Sequence, residues 1–349
     1  MCSQGIVVKV AIFKINQLGD NIVFLSVVQA LRRFRSDWEL FVLTTPIAAA
    51  IYGPETCSER HLIMERGRFN SAWKSPQTLF WLLGQIRHFR PNRCLFATDQ
   101  GNVAHLLGKM SGAKIRVGSR RPFHKVPGAI THEAPFDPSA NVALDGWRLL
   151  QKLTADTEGP SLPDIPPPPN LSHLLEGGHR IAGRVAIHPG ASHEYQRWPM
   201  DRYLALAKHL ESDFEVLWIS HGSESVAGLS RKVKLVRSQS LEELVRLIAS
   251  ANLFVGNNSG PHHLATALAT PSVIINGPTA RNWDPFWHSD RILMLRDETL
   301  PCLPCDSVFP ANAGECRNVK RMACMEKWTV DVIEEHVRMW LHRWAIAGK

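Results

Sequence analysis

Apolar β-branched runs and amphipathic stretches take turns along this chain, and they do so in two series separated by Pro166-Pro167-Pro168-Pro169. Alternation of that kind predicts parallel strands with helices on their faces, because a parallel neighbour is reached only through a crossover long enough to hold a helix. In the first series 6–13, 38–43, 94–97 and 114–117 read as strands, and 20–34, 78–89, 103–110 and 142–153 as helices. In the second, strands are expected at 184–188, 215–219, 252–255 and 272–275, and helices at 201–210, 241–250 and 262–268. Four consecutive prolines fix an extended, donor-poor backbone that fits neither a helix nor a central strand, so the linker is placed there. The 349 residues exceed what a single core usually supports. The expected organisation is therefore α/β: an N-terminal Rossmann-like, doubly wound domain over 1–170, a second such domain over 171–327, and a C-terminal helix over 328–349. That helix has apolar residues at Val330, Ile333, Val337, Trp340, Leu341 and Trp344 and could pack back on the N-terminal domain.

Open α/β sheets bind ligands beyond the carboxyl ends of their strands, which directs attention to the loops there and predicts a site in an inter-domain cleft. The first strand runs into Leu18-Gly19-Asp20. Asp20 could cap the following helix, or its carboxylate could take a proton from an acceptor hydroxyl, and the two roles can coexist. In the second series the loop Gly190-Ala191-Ser192 is small enough for backbone amides to approach a phosphate, and Ser192 adds a hydroxyl. Gln196, Arg197, Trp198 and Pro199 follow, with Pro199 at a plausible first helical position and Trp198 available as a cleft wall or a core residue. The run Asn257-Asn258-Ser259-Gly260-Pro261-His262-His263 passes from strand through a turn into a helix, whose amide-rich N-terminus suits a diphosphate. Thr279 closes the next such turn, after Gly277-Pro278, and Trp283 and Pro285 lie in a loop that could close over a sugar or a base or simply pack.

Forty Lys and Arg against 32 Asp and Glu give a net charge of +8, which favours anionic partners such as phosphates, acidic glycolipids or an anionic membrane face. The basic residues are scattered and form no long tail, so nucleic acid is not the expected partner. No apolar run is long enough to cross a bilayer, and the opening residues lack the basic region of a secretory leader, which predicts a cytoplasmic protein. Seven cysteines, four of them at Cys302, Cys305, Cys316 and Cys324, are not a secreted disulfide framework. Cys302-Leu303-Pro304-Cys305 with two later thiols resembles a structural zinc or iron site, against the alternative of unligated buried thiols.

Taken together, Leu18-Gly19-Asp20, His188-Pro189-Gly190-Ala191-Ser192 with Trp198-Pro199, Asn258 to Ala265, and Gly277-Pro278-Thr279 resemble the bacterial lipopolysaccharide heptosyltransferases over nearly the whole chain. The resemblance implies a GT-B fold, an ADP-heptose donor, inversion at the anomeric carbon and no cofactor or metal for catalysis. It further implies that Asp20 is the general base. Gly190, Ala191, Ser192, Asn258, Ser259, Gly260, Pro261 and His263 would hold the donor phosphates and heptose, joined by Gln196, Arg197 and Thr279, with Glu224 on the donor nucleoside. Two positions depart from the family's pattern: Gln196 stands where relatives often carry lysine, and Asn258 where they often carry aspartate. The implied acceptor is an anionic inner-core glycolipid met at the inner membrane face. Transfer to a protein or a small molecule, a sugar-nucleotide epimerase, and a non-catalytic sugar-nucleotide-binding protein are the alternatives. A dehydrogenase is disfavoured, since no G-x-G-x-x-G loop follows the first strand.

Overall fold

A computed structural model describes residues 7–53, 60–98, 100–175, 179–220, 226–305, 316 and 318–346. The chain divides into two compact units, Met1–Pro169 and Asn170–Lys349.

The first unit is a six-stranded sheet of β1 (Lys9–Lys14), β2 (Glu39–Thr44), β3 (Arg60–Ile63), β4 (Arg93–Phe96), β5 (Ile115–Gly118) and β6 (His132–Glu133). Every pairing is parallel and the order is β3-β2-β1-β4-β5-β6. The central strands are apolar along most of their length because helices cover both faces. In both β1 and β2 only the first residue escapes full burial. The crossovers carry α1 (Leu18–Phe34), α2 (Arg66–Asn70), α3 (Pro76–Phe89), α4 (Asn102–Met110) and α5 (Val142–Thr154). Phe13, Phe41, Leu43, Phe89 and Phe96 form the heart of one core layer.

The second unit repeats the plan with β7 (Ile181–His188), β8 (Glu215–Ser220), β9 (Lys234–Arg237), β10 (Ala251–Asn257), β11 (Ser272–Asn276) and β12 (Ile292–Arg296). Again all pairings are parallel, in the order β12-β11-β10-β7-β8-β9. Read from its first strand outward, this is the same order as in the first unit. Each sheet therefore has its topological switch point between its first and fourth strands, β1 and β4 in one and β7 and β10 in the other. The helices are α6 (Met200–Leu210), α7 (Leu241–Ser250), α8 (Gly260–Ala267), α9 (Ala323–Glu326) and α10 (Val330–Ile346).

The last helix belongs to the second unit. Ile333, Val337, Trp340 and Leu341 belong to the second unit's core, with Trp198, Tyr203 and Leu210, and α10 packs on α6 and β10. It completes that unit. Burying such side chains contributes about 1.5–3 kcal/mol apiece, reason enough for an amphipathic helix to dock where the sheet still shows an apolar face. Among the described residues no helix is long and apolar enough to cross a membrane.

Candidate functional site

In the first unit the switch point is built by amide side chains. The Gln100 amide accepts a hydrogen bond from the Ile15 N–H at 3.2 Å and donates to Asn16 Oδ1, joining the loop after β4 to the loop after β1. Asn21 then fixes the start of α1. Its Nδ2 donates to the Asn16 and Gln17 carbonyls at 3.1 and 2.8 Å, while its Oδ1 accepts from Thr44 and Tyr52 hydroxyls at 3.0 and 2.9 Å. With every hydrogen-bonding position of a buried amide used, the loop is held in one conformation. Asp20 lies beside Asn21 in the first turn, third in a helix whose N-cap is Gln17, so it is not the cap. Its carboxylate is half-exposed, and a first-turn position places it where the helix dipole favours negative charge.

In the second unit the corresponding latch is Asn257, at the end of β10 and fully buried. Its Nδ2 donates to the Pro189 and Gly190 carbonyls at 2.7 and 3.4 Å. Its Oδ1 accepts from the Trp198 N–H at 2.9 Å and from the Tyr203 hydroxyl at 3.0 Å. One side chain thus sets the loop after β7, the Trp198-Pro199 entry to α6 and the turn into α8. Gly256, just before it, has no room for a Cβ, which would stand 3.0 Å from the His188 carbonyl. The close approach of β7 and β10 at this point needs glycine.

Around that latch, Gly190 is buried, Ala191 half-buried and Ser192 exposed. Gln196 sits in a single 3₁₀ turn, Glu194–Gln196, and its Oε1 accepts from the His193 N–H at 3.3 Å. Arg197 crosses back over the loop, its Nε and Nη2 donating to the Ala191 carbonyl at 2.9 and 2.6 Å. A guanidinium is therefore fixed against the Ala191 carbonyl, next to Ser192 in the chain. Trp198 is core: it is fully buried and its Nε1 donates to the Trp328 carbonyl at 2.8 Å. Pro199 is the N-cap of α6 rather than its first residue.

The turn into α8 has no side-chain cap and no acidic residue in its first turn, and the Ser259 hydroxyl donates instead to the Asn257 carbonyl. Its supply of amides is narrower than the sequence suggests. Pro261 has none, and the His262 N–H donates to the Ser259 carbonyl at 3.0 Å. Ser259 and Gly260 are half-exposed at the helix end; Pro261, His263 and Asn258 are buried. Asn258 Oδ1 meets His262 Nδ1 at 3.2 Å, leaving Asn258 Nδ2 and His262 Nε2 buried without a hydrogen-bond partner. Burial and the neighbouring His263 push the His262 imidazole well below its ordinary range, so it is neutral. The ring of His263 meets Trp283 edge-on, 5.9 Å between centroids, so that aromatic position packs against this turn. On the adjacent strand end, the buried Thr279 presents its carbonyl to Asn276 Nδ2 at 3.1 Å and to Arg296. Glu224 lies outside the described residues.

One cysteine, Cys324, lies at the edge of the same region, against Gly277. Burial, and then the charges of Cys305, Cys316 and Cys302, push the Cys324 thiol up to about 12. Asn318 Nδ2 donates to Cys302 Sγ and the Met322 N–H to Cys316 Sγ, each at 3.2 Å. Among the described residues the group whose ligand atoms all lie within 4.8 Å of one another is a different one, His209, Asp331 and Glu334. The four cysteine sulfurs do not form such a group. Gly277 connects them to the loop before Thr279, since a Cβ there would stand 2.7 Å from Cys324 Sγ and 2.5 Å from Met325 Sδ.

The sequence points to the end of the first strand in each unit and to the turn at Asn257, but not to the polar side chains that bind these loops to their neighbours, Asn16, Asn21, Gln100 and Tyr203, nor to the part Asn257 plays among them. The one available signal was an amide or hydroxyl set directly against an otherwise apolar strand, as in Val255-Gly256-Asn257.

Comparison with known proteins locates the chain. Residues 176–311 match the family model of glycosyltransferase family 9 (heptosyltransferase). A lipooligosaccharide heptosyltransferase 2 of Campylobacter jejuni is 25% identical over 144 residues, 38% of this chain and 44% of that protein. A lipopolysaccharide heptosyltransferase 3 of Escherichia coli is 24% identical over 312 residues, 80% of this chain and 89% of the relative. The match thus spans less than half the length of the Campylobacter protein. Among solved structures, E. coli heptosyltransferase WaaC with ADP-2-deoxy-2-fluoro heptose superposes with a TM-score of 0.67, at 16% identity, over 95% of this chain and 99% of that one. The iron-containing dodecameric glycosyltransferase TibC of enterotoxigenic E. coli gives 0.57 at 16% identity, over 97% and 78%. At those identities the likeness to the two structures shows a shared fold, two parallel doubly wound sheets of the GT-B kind. The matched segment lies inside the second unit and covers both loops that Asn257 ties together, and over that segment the chain is similar to glycosyltransferase family 9, the heptosyltransferases.

Proposed function

We propose that the protein is an inverting glycosyltransferase that moves a heptose from ADP-heptose to a hydroxyl of an inner-core glycolipid, in the cytoplasm at the inner membrane face. The observation that carries this reading is that the family's domain lies over the switch point where Asn257 joins the loops 190–192 and 258–261. An ADP-sugar bound to the WaaC structure, in a shared fold, supports the choice of donor.

In the proposed reaction the half-exposed Asp20 carboxylate accepts the proton of the acceptor hydroxyl as its oxygen attacks the anomeric carbon. The bond to the departing diphosphate breaks on the opposite face, which inverts the centre. Negative charge grows on ADP, where the Ser192 hydroxyl, the amides of Ser259 and Gly260 and the positive end of α8 would receive it. Arg197 supplies a cation at the same loop, in the role that lysine has at the Gln196 position of relatives. The buried Asn258 Nδ2 is a donor with no protein acceptor, suited to a sugar or phosphate oxygen. Glu224 would contact the nucleoside. We assign the four cysteines a structural metal that braces the Gly277–Thr279 loop and takes no part in the chemistry; metal content of the purified chain, against Cys302→Ser, tests that assignment.

The decisive experiment measures transfer from ADP-heptose to an inner-core acceptor by the parent and by Asp20→Asn. Loss of a general base should lower kcat by about 10²–10⁴-fold while donor affinity stays near the parent's. Unchanged turnover in the variant removes Asp20 from the chemistry. Conversion of the donor sugar in the absence of acceptor would point instead to an epimerase.

A further inference from the structure

We propose that α3 and the turn before it form a docking face for an anionic lipid surface. Helix α3 buries Leu82, Leu83, Ile86 and Phe89 against the first unit's core. Its opposite face should be polar if it met only water. Instead Phe80 and Trp81 stand there 66% and 49% exposed, and Trp73, in the preceding turn, is 63% exposed. Single exposed apolar residues are ordinary, but three large exposed aromatics within nine residues of sequence are not. Above the same face Gly84 opens onto empty space, a Cβ there meeting nothing within 4 Å.

The charges around the patch indicate what covers it. From Ile63 to Arg90 the chain carries Arg66, Arg68, Lys74, Arg87 and Arg90, all exposed, against Glu65 as the one acidic residue. The Lys74 ammonium lies 5.2 Å from the Trp73 ring centre. Tryptophan and phenylalanine rings flanked by exposed cations match the interface of a bilayer, where rings settle at headgroup depth and each cation gains from anionic headgroups. A second copy of the chain fits less well. A two-fold contact would set these cations against the same cations of its partner, and the core of a protein interface is depleted in charge. The membrane meant here, one carrying an anionic glycolipid, rests on the proposed acceptor. The binding itself does not, and is measured without donor or acceptor.

The test is sedimentation of the full chain with phosphatidylcholine vesicles, with and without phosphatidylglycerol. Binding should require phosphatidylglycerol and weaken with added salt. Trp73→Ser with Phe80→Ser and Trp81→Ser should lower partitioning by about tenfold or more. Should that triple variant melt early, Arg66→Glu with Lys74→Glu keeps the aromatics and should lower binding as well. Met339→Ser, an exposed apolar residue on α10, should bind as the parent does. Binding unaffected by the aromatic and the charge variants, or indifferent to phosphatidylglycerol, overturns the proposal. So does a change in solution mass of the aromatic variant without lipid, which would assign the face to self-association. Transfer to a water-soluble acceptor by the aromatic variant reports separately on the proposed activity.

Discussion

Asn257 carries more of the second unit's geometry than any residue in contact with it, because its amide is the one group that can receive the Trp198 N–H and the Tyr203 hydroxyl and also serve the Pro189 and Gly190 carbonyls. Asn257→Leu preserves volume and strands all of these partners in the interior. Leaving a buried donor or acceptor unmatched costs about 1–3 kcal/mol, so a loss near 3 kcal/mol is expected in denaturant unfolding, together with weaker ADP binding as the loop after β7 loosens. An unchanged midpoint would mean that the latch is not what fixes the loop. In the first unit the residue with most to say about pH is His105. Its ring meets Phe96 at 4.6 Å and His124 at 4.1 Å, and burial, then His124, pushes it down to about 3. Burial likewise lowers His124 to about 4; its Nδ1 accepts from the Arg121 N–H at 3.1 Å and its Nε2 donates to the Gln100 carbonyl at 3.0 Å, the pattern of a neutral ring. Between their ordinary value near 6.5 and about 4 the unfolded chain takes up two protons that the folded one refuses, so this contribution to stability, full above 6.5, is lost as pH falls. Asp145, raised to about 6 by burial despite Arg121 and Arg148, acts in the opposite sense: its proton binds the folded state first, and its contribution is lost as pH rises through about 6. His105→Gln removes one of the two refused protons, so its stability relative to the parent should improve by about 1.4 kcal/mol for each unit of acidification between 6.5 and 4. Parallel pH profiles for the two proteins would refute the assignment.

At the scale of elements, the strands that sequence reasoning found and missed separate by position in the sheet. β3, β6, β9 and β12 were missed, and these are the four edges. An edge strand has one neighbour and less cover, so its sequence need not be a run of apolar residues. Lys234-Leu235-Val236-Arg237 is exposed at both ends, and β6 is only the pair His132 and Glu133. The central strands, covered on both faces, announce themselves as near-continuous apolar runs, and with them the doubly wound class was legible. The eight longer helices were legible to within about two residues, the usual uncertainty of an end, whereas α2 and α9, of five and four residues, were not. What the sequence could not decide was which surface a segment meets. Trp198 could have been a wall or a core residue until Trp328 was seen to accept its N–H from 130 positions away. The apolar stripe of α10 was readable as a stripe, but its partner, the face of α6 and β10, is a property of the folded second unit. The same holds for Asp20: its helical position was open because Gln17, a poor cap, takes the N-cap.

The whole chain consists of two sheets with identical strand order, each with its own apolar core, joined next to four prolines. A core that closes within its own unit makes that unit a candidate cooperative domain, while the proposed donor loops, at 190–192, 258–261 and 279, all belong to the second unit. A ligand stabilises only the structure whose unfolding releases it, by about 2.7 kcal/mol at a concentration one hundred times its dissociation constant. Scanning calorimetry should therefore resolve two transitions, and ADP should raise one of them while leaving the other in place. The transition that moves should be the one lowered by Asn257→Leu, and the one that stays should be the one whose acid sensitivity His105→Gln reduces. If ADP shifts both transitions equally, or the Asn257 variant lowers the transition that ADP leaves alone, donor binding does not reside in the second unit's loops as proposed.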